Sequence, residues 1–160
     1  MRIGVVSDTH SRPLPKQLLN DFKSVDYIIH AGDFCELADY EALAKIKEVK
    51  AVQGNMDGAV ICKRFPRRQI LKCGAFTIGL FHGEGSRKNI METVKNEFKN
   101  DKVDAVIFGH SHAACNEKIG SVLYFNPGSA TDDASAEDRS YGILEVSEKG
   151  IMGTIIKVKG

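Results

Sequence analysis

The chain reads as an α/β domain in which two β-sheets pack together with helices on the outside. Three observations carry that reading. The first half alternates short apolar runs with segments of helical periodicity, the pattern of βαβ units and a parallel sheet. The second half is richer in strands and carries hairpin signals at Cys73-Gly74, Ile119-Gly120 and Lys149-Gly150. One apolar run after another also stops at a short cluster of Asp, His or Asn.

The elements follow in order. Residues 2–7 (RIGVVS) are a buried strand. Leu14, Leu18, Leu19 and Phe22 recur at helical spacing over 14–23, entered through Pro13 and Pro15. Residues 25–29 (VDYII) are a second strand. The spacing of Leu37, Tyr40, Leu43, Ala44 and Ile46 predicts a helix over 36–47, and 49–53 (VKAVQ) is a third strand. Residues 67–73 and 75–81 form a hairpin. A helix over 86–99 has Ser86 as its N-cap and Ile90, Met91, Val94 and Phe98 as its apolar stripe. Strands at 103–108, 113–118 and 121–125 come next, and 140–146 with 151–158 close the chain as a hairpin.

Composition narrows the function classes. At 160 residues the chain can bury a sizeable core, and it is expected to form one domain over 1–160. A net charge of +1 with 27% charged residues argues against a protein that coats nucleic acid. The N-terminal apolar stretch is too short for a signal peptide, and no run approaches a membrane span, so a cytoplasmic protein is expected. Cys35, Cys62, Cys73 and Cys115 form no CxxC pair and read as reduced thiols.

The strand ends hold the chemistry. "GVVSDTH" delivers Asp8 and His10, "YIIHAGD" His30 and Asp33, and "AVQGNMD" Asn55 and Asp57. "IGLFHGE" delivers His82, "VIFGHSH" His110 and His112, and "LYFNPGS" Asn126. All five histidines therefore lie just past an apolar run. Carboxyl ends of parallel strands share one edge of an α/β sheet, where ligands bind. An oxygen and imidazole donor set without recurring Cys suits Mn, Fe, Ni, Co or Zn better than a soft thiolate site does. Asp8, His10, Asp33, Asn55, His82, His110 and His112 make seven donors, more than one tetrahedral ion needs. They fit two ions sharing a bridging carboxylate, roughly 3.5–4 Å apart.

With those residues in view, the chain resembles the calcineurin-like metallophosphoesterases. Asp8-Thr9-His10 matches their DxH, Gly32-Asp33 their GD, Gly54-Asn55 their GN, His82 their single His, and Gly109–His112 their GHxH, in the family order. Asn126-Pro127-Gly128-Ser129 matches a later loop of the small members. The chain's size and its "GNMD" resemble the compact single-domain bacterial and archaeal phosphodiesterase branch, to which the retromer scaffold subunit is related. The resemblance implies a four-layer αββα sandwich: two mixed β-sheets flanked by helices, with the metal site at the strand C-terminal ends. It implies two divalent ions per chain, Mn or Ni foremost, with Fe, Co, Zn and Mg as alternatives. Asp8, His10 and His112 would hold one ion, Asn55, His82 and His110 the other, and Asp33 would bridge them. His110 and His112 would then leave an extended segment on the same side. Asp33, Asn55 and His82 are the catalytic candidates. His30 and Asp57 are expected to support the ligands from behind, and Asn126 to touch substrate.

The activity implied is hydrolysis of a small-molecule phosphodiester by a metal-bridging hydroxide. The alternatives are a phosphomonoesterase or nucleotidase, and a metal-binding interaction scaffold with little activity. Completeness of the ligand set favours the enzyme, because the scaffold relative lacks one histidine of GHxH. No membrane or specific nucleic-acid partner is expected, and self-association is left open. Two departures matter. Met56 stands where most of the superfamily carries a histidine that protonates the leaving oxygen, and a thioether cannot donate a proton. Glu84 stands where the compact branch often has a second histidine. Lys63, Arg64, Arg67 and Arg68 form a basic cluster, either a solvated edge or a substrate contact. Cys35 reads as a small buried hydrophobe close to the proposed ions.

Overall fold

A computed structural model describes residues 1–132 and 138–159. The chain begins with β1 (Arg2–Val6), α1 (Lys16–Asp21), a 3₁₀ turn (Phe22–Ser24), β2 (Tyr27–His30), α2 (Leu37–Ala44), β3 (Val49–Ala51) and α3 (Ala59–Arg64). It continues through β4 (Arg68–Cys73), β5 (Phe76–Phe81), a second 3₁₀ turn (Arg87–Asn89), α4 (Ile90–Glu97) and β6 (Ala105–Ile107). The last strands are β7 (Cys115–Ile119), β8 (Val122–Asn126), β9 (Ser140–Ser147) and β10 (Gly150–Lys157).

Two five-stranded mixed sheets result, ordered β10-β9-β1-β2-β3 and β4-β5-β6-β8-β7. β1, β2 and β3 are parallel, with Ile3 opposite Tyr27 and Ile28 opposite Val49. β5, β6 and β8 are parallel in the second sheet. The antiparallel hairpins β9–β10, β4–β5 and β7–β8 occupy the outer positions.

Strand alternation sorts the apolar residues into layers. Ile3, Val5, Tyr27 and Ile29 face inward and meet Ile78, Leu80, Ile107 and Phe125 of the other sheet. Their neighbours Val6 and Ile28 face outward onto Leu18, Phe22 and Leu43 of the first helical layer. On the opposite side Phe81, Val106 and Phe108 pack against Ile90, Val94 and Phe98 around α4. The four layers are αββα, as the sequence predicts.

Two local expectations fail. The pattern showed no helix over 59–64, yet α3 forms there and packs Ile61, with Phe65 beyond its end, against Phe34 and Ala51. Six residues are too few to display a helical period, and Val60 and Ile61 are β-branched. Ser86 precedes the 3₁₀ turn ahead of α4 but makes no side-chain cap hydrogen bond. All four cysteines are free thiols. No helix among the described residues is long and apolar enough to cross a membrane.

Candidate metal centre

The loops leaving β1, β2, β3, β5 and β6 converge. Backbone bonds from Asp8 N to Gly32 O (3.0 Å), from His10 N to Asp33 O (3.1 Å) and from Gly109 N to His82 O (3.0 Å) lace them together. Tight turning shows in the backbone. Asp8, His10, Asp33, His110 and His112 all have positive φ, at 55°, 48°, 59°, 66° and 60°. Few non-glycine residues adopt this region, and roughly 1–2 kcal/mol opposes each. Such strain persists where surrounding structure over-determines it, typically at functional sites. It also corrects the expectation for the last motif. His110 and His112 do not leave an extended segment; each sits in a left-handed turn, which aims them at different neighbours.

Among the described residues, two groups of His and carboxylate side chains could hold an ion: Asp8, His10 and His112, and Asp8, Asp33 and His82. Within each, the donor atoms all lie within 4.8 Å of one another. Asp8 Oδ1 stands 3.3 Å from His112 Nε2, 3.8 Å from His82 Nε2 and 4.0 Å from His10 Nε2. Asp33 Oδ2 stands 3.3 Å from His82 Nε2 and 4.0 Å from His10 Nε2, between the two sets of imidazoles. Asn55 Oδ1 lies 3.2 Å from His82 Nε2 and 2.9 Å from His110 Nδ1. All seven sequence-predicted donors therefore come together.

The outward nitrogen of each ring is tied. His82 Nδ1 donates to Ala31 O at 2.7 Å, His110 Nε2 to Gly85 O at 2.8 Å, and His112 Nδ1 to Asp132 Oδ2 at 2.5 Å. His10 Nδ1 lies 3.4 Å from Cys35 Sγ, so that thiol orients a ring instead of filling the core. A carbonyl or carboxylate oxygen only accepts, so the tied nitrogens of His82, His110 and His112 carry the protons. In neutral rings the inward nitrogens then present lone pairs. Those of His82 and His112 face Asp33 and Asp8 oxygens, and His10 Nε2 faces His112 Nε2 at 3.2 Å. Lone pairs so arranged need a proton or a cation between them. Asp8 Oδ1 is moreover buried with no hydrogen-bond partner. An oxygen and nitrogen set with such an orphaned oxygen fits a divalent cation.

Electrostatics agree. Burial opposes ionisation of Asp8, but His112 and His82 outweigh it and hold the carboxyl below its ordinary value. Burial likewise opposes ionisation of Asp33, which His82 and the Met56 amide reverse. Burial lowers His82, yet Asp33 and Asp8 push it up to about 8.

Supporting residues lie behind. His30 is fully buried, with Nε2 3.1 Å from Thr9 Oγ1 and Nδ1 accepting Gly32 N–H at 3.1 Å. Burial drives its pKa down to about 3, so it is a neutral prop. Asp57 accepts from Asp33 N (3.0 Å), Cys35 N (2.7 Å) and Gly54 N (2.7 Å), pinning two ligand loops together. Gly54 and Gly109 allow close backbone approach. A Cβ would come within 2.1 Å of Asp33 Oδ1 at the first and 2.0 Å of Ser7 Oγ at the second. Asn126 is fully buried. Its amide donates to Gly109 O (2.9 Å) and Ser111 Oγ (3.0 Å) and accepts from Gly128 N, so the structure places it beneath the histidine loop, not facing solvent.

Sequence reasoning missed three contributors. Asp132 orients His112, Ser129 Oγ donates to Asp8 O at 2.8 Å, and Thr131 Oγ1 donates to Thr9 O at 2.9 Å. The NPGS loop was a signal for Ser129; no spacing pointed to Asp132. The three arginines of the basic cluster have local partners. Arg67 bonds Glu84 and Glu97 at 3.0 Å each, Arg68 bonds Asp101, and Arg64 lies 4.3 Å over the Tyr40 ring. Glu84 is thereby the partner of Arg67.

Comparison with known proteins agrees with this geometry. A probable metallophosphoesterase of Methanocaldococcus jannaschii is 36% identical over 140 residues, covering 82% of this chain and 69% of that protein. A phosphodiesterase of the same organism is 27% identical over 168 residues, covering 93% of this chain and 95% of that one. Among solved structures, a single mutant of Vps29 from Entamoeba histolytica superposes with a TM-score of 0.77 at 24% identity, over 99% of this chain and 100% of that one, which shows a common fold. The calcineurin-like phosphoesterase superfamily domain matches residues 1–149. With the αββα sandwich and the converging Asp, Asn and His donors, that match makes the chain a member of the calcineurin-like phosphoesterase superfamily.

Proposed function

We propose that the protein is a phosphodiesterase that works with two divalent ions. Asp8, His10 and His112 would hold one and Asn55, His82 and His110 the other, with Asp33, whose Oδ2 lies between the two sets of imidazoles, shared by both. The observation that supports this most is the orientation of the rings: outward nitrogens tied, inward nitrogens crowded around Asp8 and Asp33, and one buried carboxylate oxygen left without a donor. The oxygen and imidazole donor set suits Mn, Fe, Ni, Co or Zn, and the family resemblance puts Mn or Ni foremost. When bound, such a pair lowers the pKa of water toward neutrality and neutralises charge on phosphoryl oxygens.

The protein's own groups have defined tasks. Asp132, Ala31 O and Gly85 O accept from the outward nitrogens of His112, His82 and His110, which turns the other nitrogen of each ring toward the site. Asn55, exposed at the mouth, uses its oxygen toward His82 and His110 and offers its amide N–H to a phosphoryl oxygen. The name of the phosphodiesterase relative supports a diester over a monoester.

The test is hydrolysis of graded aryl and alkyl phosphodiesters and aryl monoesters by chelator-stripped protein, before and after Mn or Ni is restored. Activity is expected only after restoration, on diesters above monoesters, and falling steeply as the leaving group becomes more basic, because Met56 supplies no proton. Full activity in protein shown metal-free by elemental analysis would overturn the metal dependence. Faster monoester turnover would overturn the diesterase assignment.

A further inference from the structure

Arg12 follows His10 by two residues, on the loop that leaves β1. Its Nη1, which carries two hydrogens, donates to Thr131 O at 3.2 Å and to Asp132 Oδ1 at 3.4 Å. The other oxygen of that carboxylate, Oδ2, accepts from His112 Nδ1, and His112 Nε2 faces Asp8 Oδ1 at 3.3 Å. We propose that Arg12 is a positioning residue for the metal centre, which sets the direction of the His112 ring through Asp132. The proposal rests on the two-ion reading and adds to it the residue that couples the three donors of one ion.

Three observations carry it. The Asp132 carboxylate has a donor on each oxygen, Arg12 on Oδ1 and His112 on Oδ2. The last torsion of an aspartate is broad, so a carboxylate held at one oxygen alone can turn; a second donor fixes its plane and with it the ring it accepts from. The backbone around Asp132 is already laced to the Asp8 loop. Ser129 Oγ donates to Asp8 O at 2.8 Å, Thr131 Oγ1 donates to Thr9 O at 2.9 Å, and Asp132 N donates to Ser129 Oγ at 3.0 Å. Those bonds hold the main chain, whereas Arg12 reaches the carboxylate itself. The root of Arg12 is pinned as well. Its N donates to Thr9 O at 3.0 Å, Ser11 N to Asp39 Oδ2 at 3.1 Å, and Ser11 Oγ to Phe34 O at 3.0 Å. The guanidinium therefore extends from a fixed backbone onto a fixed target.

The placement selects one ion of the pair. Asp8 and His10 lie on the loop that carries Arg12, and His112 comes from the loop after β6. The contact from Arg12 to Asp132 joins those two loops beside their donors. Asn55, His82 and His110 take their outer contacts elsewhere, His82 from Ala31 and His110 from Gly85. The Asp132 side chain is 8% exposed and that of Arg12 50%, so the pair spans the boundary with solvent and its strength is that of a partly screened ion pair.

The experiment is a Mn titration of the chelator-stripped protein in competition with a fluorescent chelator, which reads the affinity of each binding step. Arg12→Gln is expected to weaken one of the two steps by about 5-fold, the upper end for such an ion pair, and to leave the other unchanged. Arg12→Lys keeps the charge and is expected to restore most of the loss. In an Asp132→Ala background, adding Arg12→Gln is expected to change nothing further, because the arginine then has no carboxylate to hold. An Arg12→Gln effect that persists at full size in that background belongs to the Thr131 contact and overturns the proposal. So does an equal weakening of both steps, or a loss in Arg12→Lys as large as in Arg12→Gln. Unchanged Mn affinity in Arg12→Gln overturns it too, and a raised KM for a diester in that variant would make Arg12 a substrate contact instead. Thermal unfolding of the chelated proteins checks that each variant is folded; if Asp132→Ala is not, the comparison of Arg12→Lys with Arg12→Gln decides. A wild type that binds fewer than two Mn overturns the two-ion reading and the proposal with it, whereas two-step binding that ignores Arg12 overturns the proposal alone.

Discussion

His112 shows how finely single residues set this site. One ring nitrogen faces Asp8 and the other is held by Asp132, a residue twenty positions along the chain. Removing such an outer partner typically costs 10–100-fold in metal affinity or activity. Asp132→Ala is therefore expected to weaken metal retention and activity by that order. Asp33→Ala, which removes a central carboxylate, is expected to abolish both. Equal losses in the two variants, measured by elemental analysis and diester turnover, would contradict the roles assigned. His30 sets a pH dependence. Its ordinary value of 6.5 falls to about 3 because burial opposes the charged ring. Between those values the unfolded chain binds a proton that the folded chain does not. Stability is thus lost as pH falls from about 6.5 toward 3, by up to ~1.4 kcal/mol per pH unit. Urea unfolding of chelated protein at pH 6.5 and 4.5 measures this slope, and His30→Asn should flatten it by roughly that amount. An unchanged slope would mean that His30 is charged when folded.

At the scale of elements, α4 and α3 make a useful contrast. α4 holds Ile90 and Val94 at helical spacing and continues into Phe98, all facing the second sheet. Phe98 is 4% exposed, so Phe98→Ala should destabilise the fold by about 3–5 kcal/mol through lost burial and the cavity left behind. Bound metal should be retained at temperatures where the variant is still folded. A loss below 1 kcal/mol in urea unfolding would show that the helix contributes little to the core. α3 has no such stripe. It buries Ile61 alone and leaves Val60 in water, so its position is dictated by Phe34, Ala51 and Phe65 around it. The ligand loops are elements of a third kind. Their left-handed turns are held by backbone bonds between the loops, and Asp and His tolerate that conformation better than most residues do.

For the molecule as a whole, the parallel neighbours β1 and β2 bring like charges together: Asp8 and Asp33 lie in one buried cluster. A ligand that binds the folded chain alone adds stability by mass action, about 2.7 kcal/mol at a hundred times its Kd. For a domain of this size that corresponds to roughly 5–10 °C in melting temperature. Mn or Ni should raise the midpoint by that order, and chelator should reverse it. Thermal unfolding with and without metal is the measurement, and an unmoved midpoint would count against a metal at this site. The rest of the chain bears on what was legible. The strands could be read because apolar runs of four to six residues form them locally, and the donors because each follows such a run directly. The parallel order was implied by strand–helix alternation, and the convergence of the strand ends by that order. The sequence by itself therefore determined the layers and which residue types meet at the edge. Only the tertiary structure decided which ring nitrogen faces inward, that His110 and His112 turn left-handed, that Asp132 and Gly85 hold them, and that Asn126 lies beneath them. Those depend on partners 15 to more than 100 residues away, and a one-dimensional pattern carries no signal for a contact whose two halves have no fixed spacing.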